Sequence, residues 1–172
     1  MDGTGYRDYD NGPAKIWYNE DGSVKREEWC QRDILHREGG PALITYKHGS
    51  VYSECWYKQG IRHHIGGPAG TLYWDNGNVS EQVWYEYGRQ QCRDGGPAAI
   101  FYDEDGNVLR EVYYYDNVLH RDNGPAIIDC YGMCSYWWHG EKVSQEEYME
   151  KYYIPYRVEC VKQLQCNLIN LI

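Results

Sequence analysis

Phenylalanine is nearly missing from this chain, with one residue in 172. Leu, Ile, Val and Phe together supply only 30 residues. A share below ~20% in those four, with high net charge, ordinarily marks a disordered chain. Basic residues are also scarce: 17 Lys and Arg against 26 Asp and Glu leave a net charge of −9 and a pI near 5.1. That balance argues against a protein that grips phosphate backbones, so no direct nucleic-acid binding is expected. No apolar run approaches ~18 residues, so no membrane span is expected. The polar stretch from Met1 to Asp10 carries no secretion signal, which places the expected location in the cytoplasm. The seven cysteines (30, 55, 92, 130, 134, 160 and 166) are odd in number and irregular in spacing, and read as reduced thiols.

What the chain has in place of aliphatics is 19 Tyr and 7 Trp. Aromatic side chains bury ~150–250 Å² each and can substitute for the missing aliphatic core. Their placement is periodic. Gly-Pro-Ala begins at Gly12, Gly40, Gly67, Gly96 and Gly124, at intervals of 28, 27, 29 and 28 residues. An alternating run follows each copy, as in Ala14-Lys15-Ile16-Trp17-Tyr18 and Ala42-Leu43-Ile44-Thr45-Tyr46. A glycine turn comes next, then a second run centred on Trp29, Trp56, Trp84 or Tyr113. A second Gly or Asn and a His-Arg-like pair complete the unit.

Period-2 alternation over five or six residues indicates strands. Asp-Gly and Asn-Gly supply the positive φ of tight turns, and proline opening a strand gives up no ladder bond. The glycine before each proline is expected to let the chain turn sharply into the strand. Each unit therefore reads as a β-hairpin of about 28 residues, stacked on its neighbours because one hairpin is marginal alone. The predicted fold is mainly β: tandem hairpin repeats in an elongated single-layer array over residues 1–143. A short C-terminal α-helical cap is predicted over 144–172. One expected ladder is Ile16, Ile44, Ile100 and Ile128, with Thr71 or Leu72 in the third copy. Another is Trp29, Trp56, Trp84 and Tyr113.

The stretch Trp56-Tyr57-Lys58-Gln59-Gly60-Ile61-Arg62-His63-His64-Ile65-Gly66-Gly67-Pro68-Ala69 is the fullest copy of a W-Y-x-x-G-x-x-H-R-x-x-G-P-A pattern. It resembles the variant MORN-type repeats of giant DNA viruses and large tailed phages, and the related bacterial YwqK-like antitoxin repeats. The run from Trp137 to Tyr148 is similar to the last half-repeat of such viral proteins leading into a short helix. The resemblance covers residues 6–150. It implies a β-hairpin array, a scaffold or binding role and a viral, phage or bacterial source. The chain departs from the pattern in its unit length, in an extra residue in copy three, and in Cys92-Arg93 where other copies carry His-Arg.

Ser144-Gln145-Glu146-Glu147 is a capping box that starts a helix at Gln145 running to about Tyr153. Pro155 interrupts it, and a second helix is predicted from Tyr156 to Leu171. The segment reads as a cap over the last strand edge, or as an oligomerisation or partner-binding helix.

Two sets of residues are candidates for binding. His36, Arg37, His63, His64, Arg93, His120 and Arg121 form a register-locked ladder. It reads as a row of donors for an anionic partner, or as Arg that stacks on Trp or pairs with Glu27, Glu54 and Glu111. Trp56 and Tyr57 are adjacent and point to opposite sides of a strand. Rings such as Trp56, Tyr57, Tyr85, Tyr114, Trp137 and Trp138 therefore offer an aromatic binding face, because one sheet cannot bury both of its sides.

Catalytic signals are missing. His120-Arg121-Asp122 lacks every companion motif of a kinase, and Asp103-Glu104-Asp105 reads as a solvated turn. Cys130 and Cys134, with His120 and His139, lack knuckle spacing, so neither metal nor cofactor is expected. The function expected is a non-catalytic scaffold that binds a protein partner, as a viral or phage accessory factor acting on a host component. The alternatives are a small-ligand or nucleotide-sequestering protein and a virion component.

Overall fold

The computed structural model describes residues 12–91, 95–155 and 157. The unit resolves into two hairpins of different size. In unit one, β1 (Lys15–Tyr18) and β2 (Val24–Glu28) are followed by two short arms, β3 (Cys30–Gln31) and β4 (Ile34–Leu35). Unit two repeats this as β5 (Leu43–Lys47), β6 (Ser50–Cys55), β7 (Tyr57–Lys58) and β8 (Ile61–Arg62). Unit three has β9 (Gly70–Tyr73), β10 (Val79–Val83), β11 (Tyr85–Glu86) and β12 (Arg89–Gln90). Unit four has β13 (Ala99–Tyr102), β14 (Val108–Val112), β15 (Tyr114–Tyr115) and β16 (Val118–Leu119). The array ends in β17 (Ile127–Asp129), β18 (Cys134–Trp138) and β19 (Glu141–Val143). The long strands form one 11-stranded sheet in chain order, and the short arms pair two by two. All pairings are antiparallel, as tight turns require.

The turns account for the uneven spacing. In unit one Asn19 N–H donates to the Ser23 carbonyl at 2.8 Å, with Gly22 at φ 81°. Unit two closes instead on a two-residue turn, His48 and Gly49, both at positive φ (50° and 80°). Such double positive-φ turns match the twist of the flanking strands. The shorter turn explains the 27-residue interval.

Register across the sheet gives one continuous row: Ile16, Glu27, Ile44, Glu54, Thr71, Gln82, Ile100, Glu111 and Ile128. The isoleucine ladder is thus present, Thr71 takes the third place, and carboxylates or an amide alternate with it. Those acids are engaged by tyrosines. Tyr46 donates to Glu27 Oε2 at 2.7 Å, Tyr73 to Glu54 Oε2 at 2.7 Å, and Tyr102 to Gln82 Oε1 at 2.9 Å. Burial, then the carboxylate bond, pushes the Tyr46 and Tyr73 hydroxyls up to about 12.

The opposite face carries the core. Val83, Ala99 and Val112 are buried, and Tyr85, Tyr114 and Leu119 of the short hairpins pack against them. Burying a valine side chain is worth roughly 1.5 kcal/mol or more. The short hairpins also bond to each other from unit to unit. Gly60 N–H donates to the Leu35 carbonyl at 2.8 Å, Gly88 to Arg62 at 2.9 Å, Asn117 to Gln90 at 3.1 Å and Gly140 to Leu119 at 2.9 Å. The alanines of Gly-Pro-Ala at 42, 69, 98 and 126 are fully buried between units.

The N-cap half of the capping box forms: Ser144 Oγ accepts from Glu147 N–H at 3.1 Å and starts α1 (Gln145–Tyr148), while Glu147 Oε1 accepts from Lys151 Nζ at 3.0 Å. The helix then widens to a π-helical turn over Met149–Tyr153. The second helix expected from Tyr156 to Leu171 lies outside the described residues, apart from Arg157. No helix among the described residues is long and apolar enough to cross a membrane.

Cys30 and Cys55 are buried free thiols, whereas Cys130 and Cys134 are free and exposed. Burial also pushes the Cys30 thiol up, which disfavours its reactive thiolate. Native alkylation read by peptide mass spectrometry should therefore modify Cys130 and Cys134 rapidly and leave Cys30 and Cys55 unmodified until denaturation.

Candidate functional site

The short hairpins carry most of the ladder residues, and the two members of each His-Arg pair have opposite tasks. The first is a buried acceptor. His36 Nδ1 accepts from Gln59 N–H at 3.2 Å, His63 Nδ1 from Tyr87 N–H at 3.3 Å, and His120 Nδ1 from His139 N–H at 3.2 Å. Each imidazole so staples its own unit to the next. His120 Nε2–H completes its bonding on Asp122 Oδ1 at 2.9 Å, which fixes the tautomer. Burial lowers the His120 pKa against the upward pull of Asp122, and His139 adds to the lowering. Unit three has Gln91 in this slot, directly after Gln90, and Asn117 of unit four supplies a different link: its Oδ1 accepts from Gln90 N–H at 2.8 Å.

The second member is a stacked donor. Arg37 lies over Trp29 at 4.0 Å, His64 over Trp56 at 3.8 Å and Arg121 over Tyr113 at 3.7 Å. Each then donates to the proline carbonyl of the next Gly-Pro-Ala: Arg37 to Pro41 at 3.2 Å, His64 to Pro68 at 2.9 Å and Arg121 to Pro125 at 3.3 Å. The Trp ladder is therefore a set of platforms, not a continuous stack. Of the two alternatives it is stacking that forms; pairing of Arg with Glu27, Glu54 or Glu111 does not appear among the described residues, and Tyr46 and Tyr73 hold the first two. Arg93 lies outside the described residues.

This stacking explains the glycine of Gly-Pro-Ala differently from the sharp turn expected of it. Gly40 and Gly67 are not at positive φ; Gly39 and Gly66, just before them, are (76° and 96°). A Cβ at Gly40 would lie 2.9 Å from Arg37 Cζ, and one at Gly67 2.9 Å from His64 Cε1. At Gly40 and Gly67 the glycine is there for close approach, whereas Gly12 and Gly124 are at positive φ (126° and 155°), as expected of a sharp turn. Gly40→Ala should displace Arg37 from Trp29, at a cost of about 0.5–2 kcal/mol for the lost cation–π contact. A urea midpoint unchanged from wild type would contradict it.

The structure brings several candidates to one open groove of about 380 Å³, lined by Arg37, Trp56, Tyr57, Lys58, His63, His64 and Ile65 among others. Lys58 and Ile65 are exposed on its rim, and Lys58 and Arg37 give it a cationic side. The aromatic face divides. Tyr85 and Tyr114, expected on a free face, pack on the core instead. Trp138 stacks on Tyr152 at 4.3 Å inside the cap, and Trp137 is half-buried with its Nε1 unpartnered among the described residues. Local alternation places Tyr85 and Tyr57 on one side of a strand but does not reveal that a second row of hairpins covers that side.

Beside the groove the hairpin tips expose Ile34, Ile61, Tyr87, Tyr115 and Val118. Sequence reasoning missed this ridge because its members come from different positions: Ile34, Ile61 and Val118 follow the second turn, Tyr87 lies in it and Tyr115 precedes it. No group of three metal-ligating side chains comes together among the described residues. No protein-family model matches the chain, and no curated protein matches it significantly.

Proposed function

We propose that the chain is a non-catalytic repeat scaffold that binds a protein partner along its row of short hairpins. The observation that carries this reading is the exposed apolar ridge of Ile34, Ile61, Tyr87, Tyr115 and Val118, one or two side chains per unit. Contiguous exposed apolar surface rimmed by polar groups is characteristic of interaction sites. The neighbouring groove adds Tyr57 beside Lys58, Arg37 and His64, a combination suited to an acidic segment of the partner. The resemblance to variant MORN-type repeats supplies the finer part: an accessory factor of viral or phage origin that acts on a host component in the cytoplasm.

The test is capture and reconstitution. A partner recovered with the wild-type chain is purified and titrated back against wild type and a Lys58→Glu/Ile65→Ser variant, both positions being exposed. Binding should weaken at least about tenfold, or 1.4 kcal/mol, while the melting temperature hardly moves. A reconstituted partner that binds the variant as tightly as wild type would sink the reading, as would failure to recover any partner that reconstitutes.

A further inference from the structure

A second concavity, of about 410 Å³, opens between the sheet and the short hairpins of units two to four. Here the units depart from one another. Arg62 sits opposite Tyr57 in the place that Leu35 holds opposite Cys30 and Leu119 opposite Tyr114. Gln90 takes the same place opposite Tyr85. On the sheet, Glu81 occupies the row position of Arg26, Ser53 and Arg110. Gly70 stands in the row of Leu43 and Ala99, where an added Cβ would lie 2.8 Å from Val83 Cγ2 and 3.1 Å from Arg62 Nη2. Unit-to-unit substitution has thus made room for a guanidinium and brought it to one groove with a carboxylate and an amide.

These groups have bonding capacity to spare. Arg62 Nη2 donates to Cys55 Sγ at 2.9 Å, which uses one of the guanidinium's five N–H groups. The Glu81 carboxylate makes no hydrogen bond or ion pair among the described residues, and burial raises its pKa against the influence of Arg62. Half-buried polar groups without partners are costly to maintain, and a ligand can satisfy them. The floor is apolar, with Val83, Ala99 and Phe101, and the rings of Tyr85 and Tyr114 line the same space. Volumes of ~300–1,000 Å³ with an apolar lining and a few convergent polar groups are typical of small-molecule sites.

We propose that this groove binds a neutral, planar heterocycle with a lactam edge, whose N–H donates to Glu81 and whose carbonyl accepts from the Arg62 guanidinium. The ring lies on the apolar floor against Tyr85 or Tyr114. Charge selects this class, because Glu81 and Arg62 cancel: a cation would meet Arg62 and an anion would meet Glu81. Guanosine and uridine carry such an edge, whereas adenosine and cytidine lack an N–H beside a carbonyl. The site is independent of the partner-binding ridge, and either can fail alone.

The experiment is calorimetric titration and thermal unfolding of the full chain with guanosine, uridine, adenosine and cytidine. The wild type, Arg62→Leu and Glu81→Gln are compared. Arg62→Leu installs the residue that two other units already carry, so the fold should survive, as circular dichroism would verify. The expected result is binding of guanosine or uridine to wild type with Kd below about 1 mM and a raised melting temperature. Adenosine and cytidine should bind at least about tenfold more weakly, and both variants should lose at least about tenfold in affinity for the lactam nucleoside. The proposal is overturned if neither lactam nucleoside binds, if all four bind alike, or if either variant binds as wild type does.

Discussion

Tyr148→Ala is expected to cost about 3–5 kcal/mol, the range for an aromatic side chain removed from a packed core. Tyr148 is fully buried in a cap that otherwise faces water. Its ring packs against Tyr136 at 5.0 Å and Trp138 at 6.2 Å between centroids. Its hydroxyl donates to the Arg121 carbonyl at 2.7 Å and accepts from Gly124 N–H at 3.0 Å. It thus ties the helix to the fifth Gly-Pro-Ala. Tyr148→Phe keeps the ring and isolates the hydroxyl, so about 1–3 kcal/mol should be lost for the two groups left unpaired. In a repeat array the damage should stay near the end that loses its cover. Amide exchange should accelerate from Ile127 to Val143 and much less around Trp29. A denaturation midpoint for Tyr148→Ala within experimental error of wild type would remove the cap assignment.

The parts of this fold that were readable in sequence are those set by local chemistry. Glycine after Asp or Asn fixes the long turns, alternation fixes the strands, and Ser144 with Glu147 fixes the helix start. The parts that were not readable depend on which unit lies over which. That Tyr85 packs on Val83 follows from a second row of hairpins folding back on the sheet, and no window of one unit contains that information. The histidines gave a similar lesson. A donor ladder and an acceptor ladder have the same spacing, and only the approach of Gln59, Tyr87 and His139 N–H distinguishes them. The Arg62 groove was legible in principle. Aligning the copies shows Arg62 and Gln90 where Leu35 and Leu119 stand, and a broken repeat is a better guide to a unique site than a kept one.

Replacing His36, His63 and His120 together by Phe is expected to unfold the chain or nearly so. Each buried imidazole accepts a backbone N–H of the next unit, and an orphaned buried donor costs about 1–3 kcal/mol. The three staples lie in different units and should add, giving about 3–9 kcal/mol against a typical total of ~5–15 kcal/mol. At His120 acid should act on the same bond, because protonation at Nδ1 turns an acceptor into a donor facing a donor. For His120 the sign is set by its surroundings. Burial lowers its pKa, His139 stacked at 4.2 Å lowers it further, and Asp122 opposes both; the rings of Trp138 and Tyr115 carry no charge. The unfolded chain therefore takes up the proton first, near the ordinary histidine value of about 6.5. Stability from this group is complete above that value and declines as pH falls below it, until the folded histidine itself protonates. Melting temperature measured from pH 7.5 down to about 5.5, above the main carboxylate range, should fall in wild type and fall less steeply in His120→Phe. Parallel pH profiles for the two proteins would show that His120 gives up its proton no more readily folded than unfolded, and would leave the staple a packing contact rather than a bond that acid can break.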